Sequence, residues 1–501
     1  MRALLGGLIA ACLAGGAAAQ SLEVRHPDIA TSPLPRRVEV GGTTYVDQGL
    51  AAAGSLPAGT VDFLGDTLGS FSSLAIEPGS WKREGDTYTG VLWTLPDRGR
   101  NDPEHNVFFD YAGRVNRMRF TMAVAPEQSV GKVTLTPDGG IELKDFAGKP
   151  FTGAEPGAGT LTQRGIVLPS PASGIGAGKI SLDAESLQFI PGGGFYIGDE
   201  YAANVYRFDA KGKLIDVLVP PKAVRPAGKD GKPDFTSLKP PITGRRNNQG
   251  VEGMALSPDG TRLFVMLQSA LLQDSFGADA SGRASTRVLV YDVSRNKAPA
   301  KPVGHYVVQL PVYDDRGAGG APNRTAAQSE IRMLDNHRFI MLSRDGNGWG
   351  AEGGKPIVFK SVLVVDTDGA TNLAGTRYET GVAPVIGKDG ALRPDIHAAA
   401  WKPLVNMLDP GDLARAGLSL EPGRGGFAQL SEKWEAMDLL PVLDPAHPDD
   451  WYLLVGNDND FIAKHCVMEG QACDSPIDND NRILVYRLTL PGMRSTTAPH
   501  H

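Results

Sequence analysis

Glu185-Ser-Leu-Gln-Phe-Ile-Pro-Gly-Gly-Gly-Phe-Tyr-Ile-Gly-Asp199-Glu200 reads as a short apolar strand, a glycine turn and a second apolar strand, with acids at both outer ends. The pattern returns along the chain. Glu252 opens a copy that turns at Pro258-Asp259-Gly260-Thr261 and ends at Gln268 and Ser269. A third copy runs from Glu330 through Met333-Leu334-Asp335-Asn336 and Phe339-Ile340-Met341-Leu342 to Arg344-Asp345. A fourth runs from Glu435 to Asn457-Asp458, and a weaker first copy has Ser72 in the Glu position and Asp97-Arg98-Gly99 at its far end. An antiparallel hairpin folds its outer ends together, so the leading Glu and the trailing polar residue meet at the edge opposite the turn. Five such hairpins arranged radially gather those edges into a ring of carboxylates.

This repetition predicts an all-β chain built as a β-propeller. The leading positions are separated by 113, 67, 78 and 105 residues. A four-stranded blade with its loops takes roughly 40–50 residues or more. The longest interval therefore has room for a hidden blade around Gly131 to Phe151, and six blades are expected, with five as the rival count. Arg37 to Leu64 is expected to supply strands that close the circle with Ile483 to Leu490, which leaves few free strand edges. The best helical periodicity, Asp395 to Ala416, predicts a small helical insertion over about 395–432, placed as a lid over one face. Abundant glycine (62) and proline (37) suit a fold with this many turns.

The first residues predict an export signal. Arg2 is followed by the apolar run Ala3 to Leu13 and by Ala17-Ala18-Ala19, a small-residue cleavage site before Gln20. Cleavage there leaves residues 20–501 as a single propeller domain, periplasmic or secreted. Ile9-Ala10-Ala11-Cys12 is a rival lipoprotein site. No run is long enough to cross a bilayer. Losing Arg2 takes the formal net charge from −7 to −8, which argues against nucleic acid or an anionic membrane surface as the main partner. A monomer acting on a small molecule is expected. The mature chain keeps two cysteines, Cys466 and Cys473, which most simply form a disulfide in an exported protein. Without CxxC or a Cys/His cluster, zinc is not expected.

The acidic ring carries the candidate chemistry. Glu185, Glu252, Glu330 and Glu435 converge with Asp97, Asp199, Glu200, Asp345 and Asp458, and so many carboxylates cannot stay ionised together uncompensated. A hard cation in an all-oxygen cage is one remedy, and calcium fits it, with Asn457 and its neighbour Asn459 adding neutral oxygens. Internal pairing with arginine and backbone N–H groups is the other remedy. Arg98, Arg246 and Arg344, with Asn248, form a set of donors suited to a phosphate or carboxylate. Gly-x-Ser-x-Gly and HExxH are both absent, and the histidines are scattered. Hydrolysis here would use a cation-activated water with a carboxylate base, Glu185, Glu252, Glu330 or Glu435. The acidic segment Asp474 to Asn481 lacks an EF-hand pattern and reads as a solvated loop.

Together, Asp97-Arg98-Gly99, Asp183-Ala-Glu185 with Gly198-Asp199-Glu200, Asn248-x-Gly250-x-Glu252-Gly253, Glu330 with Arg344-Asp345, and Glu435 with Asn457-Asp458-Asn459 resemble the esterase-like-activity-of-phytase family. The resemblance spans roughly residues 60 to 490. It implies a secreted, propeller-type protein and an esterase-like or phosphoesterase-like hydrolase. Gln268, Ser343 and Ala436 depart from the family pattern and thin the negative ring. Two other readings stay open: a non-enzymatic propeller that binds or scaffolds, and a calcium-dependent lactonase.

Overall fold

The computed structural model describes residues 21–493 apart from 30–32, 103, 106, 126–128, 352 and 422–427. The expected signal segment and Cys12 lie outside the described residues.

The described residues fold into five four-stranded antiparallel units. The first is Ser73–Ile76, Thr87–Leu95, Arg114–Ala123 and Gly131–Glu142. The second, Ala184–Phe189 to Leu214–Leu218, and the third, Val251–Leu256 to Gly304–Gln309, follow in chain order. The fourth is Ala327–Met333, Arg338–Arg344, Lys360–Asp366 and Ala400–Asn406. The fifth combines Lys433–Pro441, Asp450–Asp458 and Asn481–Thr489 with an N-terminal strand, Thr43–Leu56. The leading strands touch in a closed cycle, unit one to two, two to three, and so on until five meets one. The N-terminal segment thus closes the circle with the C-terminal strand, where the sequence placed it.

Among the described residues no sixth unit is formed. Gly131–Glu142, the segment set aside for it, pairs with Arg114–Ala123 as the outer strand of unit one. The remaining length goes to long strands and to the short Thr160–Gln163 and Ile166–Pro169 ladder. The helical insertion also needs correction. Ala400–Asn406 is the outer strand of unit four, and among the described residues of this segment only Pro410–Arg415 is helical. The periodicity misled because Leu404 and Val405 are buried by a ladder that shifts register between Val362 and Leu363. Proline at 403, with no N–H to donate, belongs on an edge. The short helix is started by Asp409, which accepts from Gly411 N and Asp412 N, with Pro410 in the first turn.

Packing follows from strand periodicity. Successive side chains leave a strand on opposite faces, and here both faces are covered. Leu263 and Val265 pack toward unit two with Tyr196 and Val205. Phe264 and Met266, the residues between, pack toward unit four with Ile331 and Phe339. Separate apolar layers likewise fill the junctions of units one and two, four and five, and five and one. The core is therefore five slabs between units, and the axis is left to polar side chains.

Candidate functional site

A bulge builds the site. In unit two Ala184 pairs with Asp199 and Ser186 with Gly198, so Glu185 is the extra residue. Unit three repeats this with Val251 and Gly253 around Glu252, and unit five with Trp434 and Ala436 around Glu435. A bulged residue leaves the ladder and its side chain is re-aimed. All three glutamates line a cavity of about 740 Å³ at the axial end of the units. Their carboxylates come within 4.8 Å of one another.

The same pairing defines a second tier. Two residues beyond the partner of the first paired position after each bulge stand Glu200, Gln268, Arg344 and Asp458, with Asp97 at the corresponding place in unit one. All five line the cavity. Asp183, Ala327 and Lys433, each two residues before a bulge, also line it, together with Arg98, Asn248 and Asp460.

In unit four the bulged residue is Ser329, because Gln328 pairs with Ser343 and Glu330 with Leu342. Glu330 is shifted by one place and turns away from the cavity. It accepts from Ser73 Oγ (2.7 Å), Met254 N (3.1 Å) and Ile331 N (2.9 Å), and pairs with Arg332 at 3.0 Å. It ties three units together.

Four other expected site residues also stand off the cavity. Asp199 accepts from the N–H groups of Asp183, Tyr201 and Ala202. Asp345 accepts from Asn347 N and Phe359 N and pairs with the buried Lys360 at 2.7 Å. Asn457 bridges to Asp480 O and Arg482 N. Arg246 donates to Ser275 Oγ (2.6 Å). Among the expected residues, Glu185, Glu252, Glu435, Arg98, Arg344, Asn248, Asp97, Glu200 and Asp458 share the cavity. Asp183, Lys433, Asp460 and Glu432 join them without having been assigned a role. For Asp183 and Lys433 a signal existed, since both stand two residues ahead of a ring glutamate.

Three internal cations are distributed through the acids. Arg98 Nη1 lies 3.1 Å from Asp183, and its guanidinium sits over the Phe108 and Tyr201 rings. Arg344 is ion-paired with Glu435. Lys433 Nζ bridges Asp460 and, at 3.4 Å, Asp458. The compensation is incomplete. Glu252 Oε1 accepts from Gln268 Nε2 (2.7 Å), but Oε2 is buried with no hydrogen-bond partner. Asp183 Oδ2, by contrast, is compensated by its ion pair with Arg98.

The electrostatics reflect this shortage. Burial first, then neighbouring acids, pushes Asp97, Glu185 and Glu252 well above the carboxylate range. Glu200 is pushed up to about 8 by burial and the Asp183 charge. Burial raises Asp458 to about 6, with Lys433 opposing. Burial opposes the charges of Arg344 and Lys433, yet the surrounding carboxylates outweigh it and hold both above their ordinary values. The donor set is all oxygen, flexible and short of positive charge, which fits a hard divalent cation.

The rim beside the cavity is pinned. Cys466 and Cys473 form a disulfide, and Ile462, Ser475 and Pro476 around them line the opening. The acidic loop that follows is used internally. Asp474 accepts from Cys466 N, Asp478 from Lys464 N and Asp480 from Ala58 N.

A family model described as "Phytase-like: Esterase-like activity of phytase" matches residues 67–461. A protein of Arthroderma benhamiae, described as an uncharacterized secreted protein, is 32% identical over 480 residues, covering 86% of this chain and 90% of its own. Among solved structures, the PQQ-bound aldose sugar dehydrogenase of Streptomyces coelicolor is 12% identical at a TM-score of 0.24, covering 94% of this chain and 97% of that one. Hydrazine synthase of Kuenenia stuttgartiensis is 10% identical at a TM-score of 0.25, covering 72% and 78%. Scores this low carry no argument about mechanism. Among the described residues, no helix is long and apolar enough to cross a membrane.

Proposed function

The chain belongs to the esterase-like-activity-of-phytase family, and from that membership we propose an exported hydrolase of ester or phosphoester bonds, acting in the axial cavity of a five-bladed β-propeller. The observation that carries the reading is the convergence of Glu185, Glu252 and Glu435 on one point with Glu252 Oε2 left without a partner. A buried carboxylate oxygen with no donor is costly unless a ligand completes it. The donors suit a divalent cation, and calcium is the proposed one. When bound, such an ion supplies positive charge to an anionic substrate and acidity to a neighbouring water.

The chain's own groups supply the rest. Arg98 and Arg344 present guanidinium donors to the cavity and orient substrate oxygens. Arg344 also fixes the Glu435 carboxylate. Glu200, whose affinity for protons is raised by burial and by the Asp183 charge, is the group placed to give a proton to a leaving oxygen. Asn248 stands exposed at the rim with φ 48°, where its amide meets an entering ligand.

A second reading has its own support. Each acidic cluster already contains Arg98, Arg344 or Lys433, which suits a non-enzymatic binding or scaffold module. The test is hydrolysis of phosphomonoesters, phosphodiesters, carboxylic esters and lactones, with calcium and with chelator. Calcium-dependent turnover that Glu252→Gln abolishes without lowering the melting temperature is expected. No turnover on any substrate, with identical behaviour in chelator, leaves the scaffold reading. Turnover confined to lactones would reassign the substrate class.

A further inference from the structure

We infer that the turn end of the axis is a second ligand site, which takes an uncharged, largely apolar small molecule bearing an acceptor oxygen. The site is separate from the acidic cavity and independent of the reaction proposed there.

At the other end of the leading strands is a cavity of about 430 Å³. Every unit contributes to its wall, with Ile76, Phe189, Leu256, Met333 and Leu439 each at or near the end of a leading strand. Glu330 lies between the two cavities on the strand of unit four, bonded to units one and three. Small-molecule sites of this size are lined mostly by apolar and aromatic side chains, with a few polar groups that fix orientation. Here Trp93 meets the Phe189 ring edge-on at 6.3 Å, and Phe195 and Trp451 complete the aromatic lining.

The charged and amide groups of this wall are already engaged. Asp438 accepts from Ile76 N (2.8 Å) and Leu439 N (2.9 Å). Arg332 is committed to Glu330, to Asp438 and to the carbonyl oxygens of Leu74 and Met254. Gln188 accepts from Leu256 N and donates to Phe189 O. Glu77 accepts from Trp93 Nε1 (2.9 Å). With Arg332 committed, the carboxylates of Glu77 and Asp438 repel an anion.

One donor is left over. Of the six tryptophans, five give the indole N–H to an oxygen at 2.7–3.1 Å. Trp451 is 3% exposed, and its Nε1 is buried without a partner among the described residues. A buried indole N–H usually finds an acceptor, and leaving it unmet is destabilising. An ordered water typically takes about two to four polar partners, and the neighbouring groups are committed. A ligand with an apolar body and one acceptor oxygen satisfies both the aromatic lining and the indole N–H.

The test is fluorescence titration of the full mature chain with prodan, an uncharged naphthalene ketone, beside the anionic dye anilinonaphthalene sulfonate. One prodan per chain is expected, with blue-shifted emission and with higher affinity than the anionic dye. Trp451→Phe keeps an aromatic ring and removes the donor, so prodan should bind about two- to tenfold more weakly, the net worth of one hydrogen bond. Leu256→Trp, at a half-buried lining position, should fill the cavity and abolish uptake. No uptake by the parent, or uptake unchanged in Leu256→Trp, overturns the site. Equal or tighter binding of the anionic dye, or unchanged binding in Trp451→Phe, overturns the ligand class. Uptake only by a chain ending at Met493, itself a lining residue, assigns the cavity to residues 494–501 and overturns the inference. Circular dichroism separates lost binding from lost folding, and if one variant fails to fold the other still reads the site.

Discussion

Glu252 and Glu330 occupy equivalent places in the repeated sequence and opposite places in the molecule. Glu252 is the bulged residue of its strand, faces the cavity, and has one oxygen without a donor. Glu330 follows the bulge, turns into the joint between units, and is saturated by Ser73, Met254, Ile331 and Arg332. A single residue of register separates a group that needs a ligand from one that is already satisfied. Strand side chains alternate with period two, so a slip of one reverses the face. The same residue type at the same motif position therefore carries no fixed role.

The difference can be broken most forcefully at Glu330. Removing it leaves Arg332 buried with only Asp438, at 3.4 Å, as its carboxylate partner. Loss of one member of a buried pair typically costs about 3–5 kcal/mol, so Glu330→Ala should lower the denaturant midpoint strongly while calcium still binds the remaining protein. Calcium binding lost with no destabilisation would overturn its structural assignment. The rim comes next. Replacing both Cys466 and Cys473 by serine frees an eight-residue loop, a loss of about 2.5 kcal/mol by chain entropy, measurable as a lower melting temperature.

Glu252→Gln sharpens the contrast from the other side. It removes a negative charge from a crowded site, so the metal-free protein should be as stable as the parent or more so. Calcium at a hundred times its dissociation constant should stabilise the parent by about 2.7 kcal/mol, and the variant should lose that gain. A large drop in metal-free stability would make Glu252 a structural tie like Glu330.

The pH dependence has a definite sign. Glu330 rises from 4.5 to about 7 and Glu200 from 4.5 to about 8, both chiefly by burial. A carboxyl with a raised folded pKa contributes stability that is complete below its unfolded value and is lost as pH rises through the folded one. The metal-free melting temperature should therefore fall between about pH 4.5 and pH 8, and Glu200→Gln should flatten the upper part of that fall. The smallest effect belongs to Ser329, which holds the bulge in unit four and has a buried hydroxyl without a partner. Ser329→Ala should stay within about 1 kcal/mol of the parent.

Much of the candidate site was legible because hairpin ends meet whatever lies outside them. Glu185, Glu252, Glu435, Asp97, Glu200 and Asp458 could be grouped from spacing alone. Asp199, Asp345 and Asn457 carried the same apparent signal, but Asp199 and Asp345 serve backbone N–H groups of their own turns and Asn457 bridges backbone groups at the start of the neighbouring strand. A carboxylate near a loop is equally suited to either use, and only the path of the loop chooses. Asp460 was missed because it meets its ammonium partner, Lys433, only after two strands have paired.

The sequence by itself determined the repeated strand–turn–strand units, their polar outer ends and the apolar alternation that buries both faces of each strand. Those are local patterns, readable because strand period and turn chemistry act over a few residues. The tertiary structure decided the number of units, since Gly131–Glu142 is an outer strand only because Arg114–Ala123 is there to pair with it. It also decided which acids face the axis. A bulge has no composition of its own, and its place is set by the register that packing between neighbouring units makes most favourable.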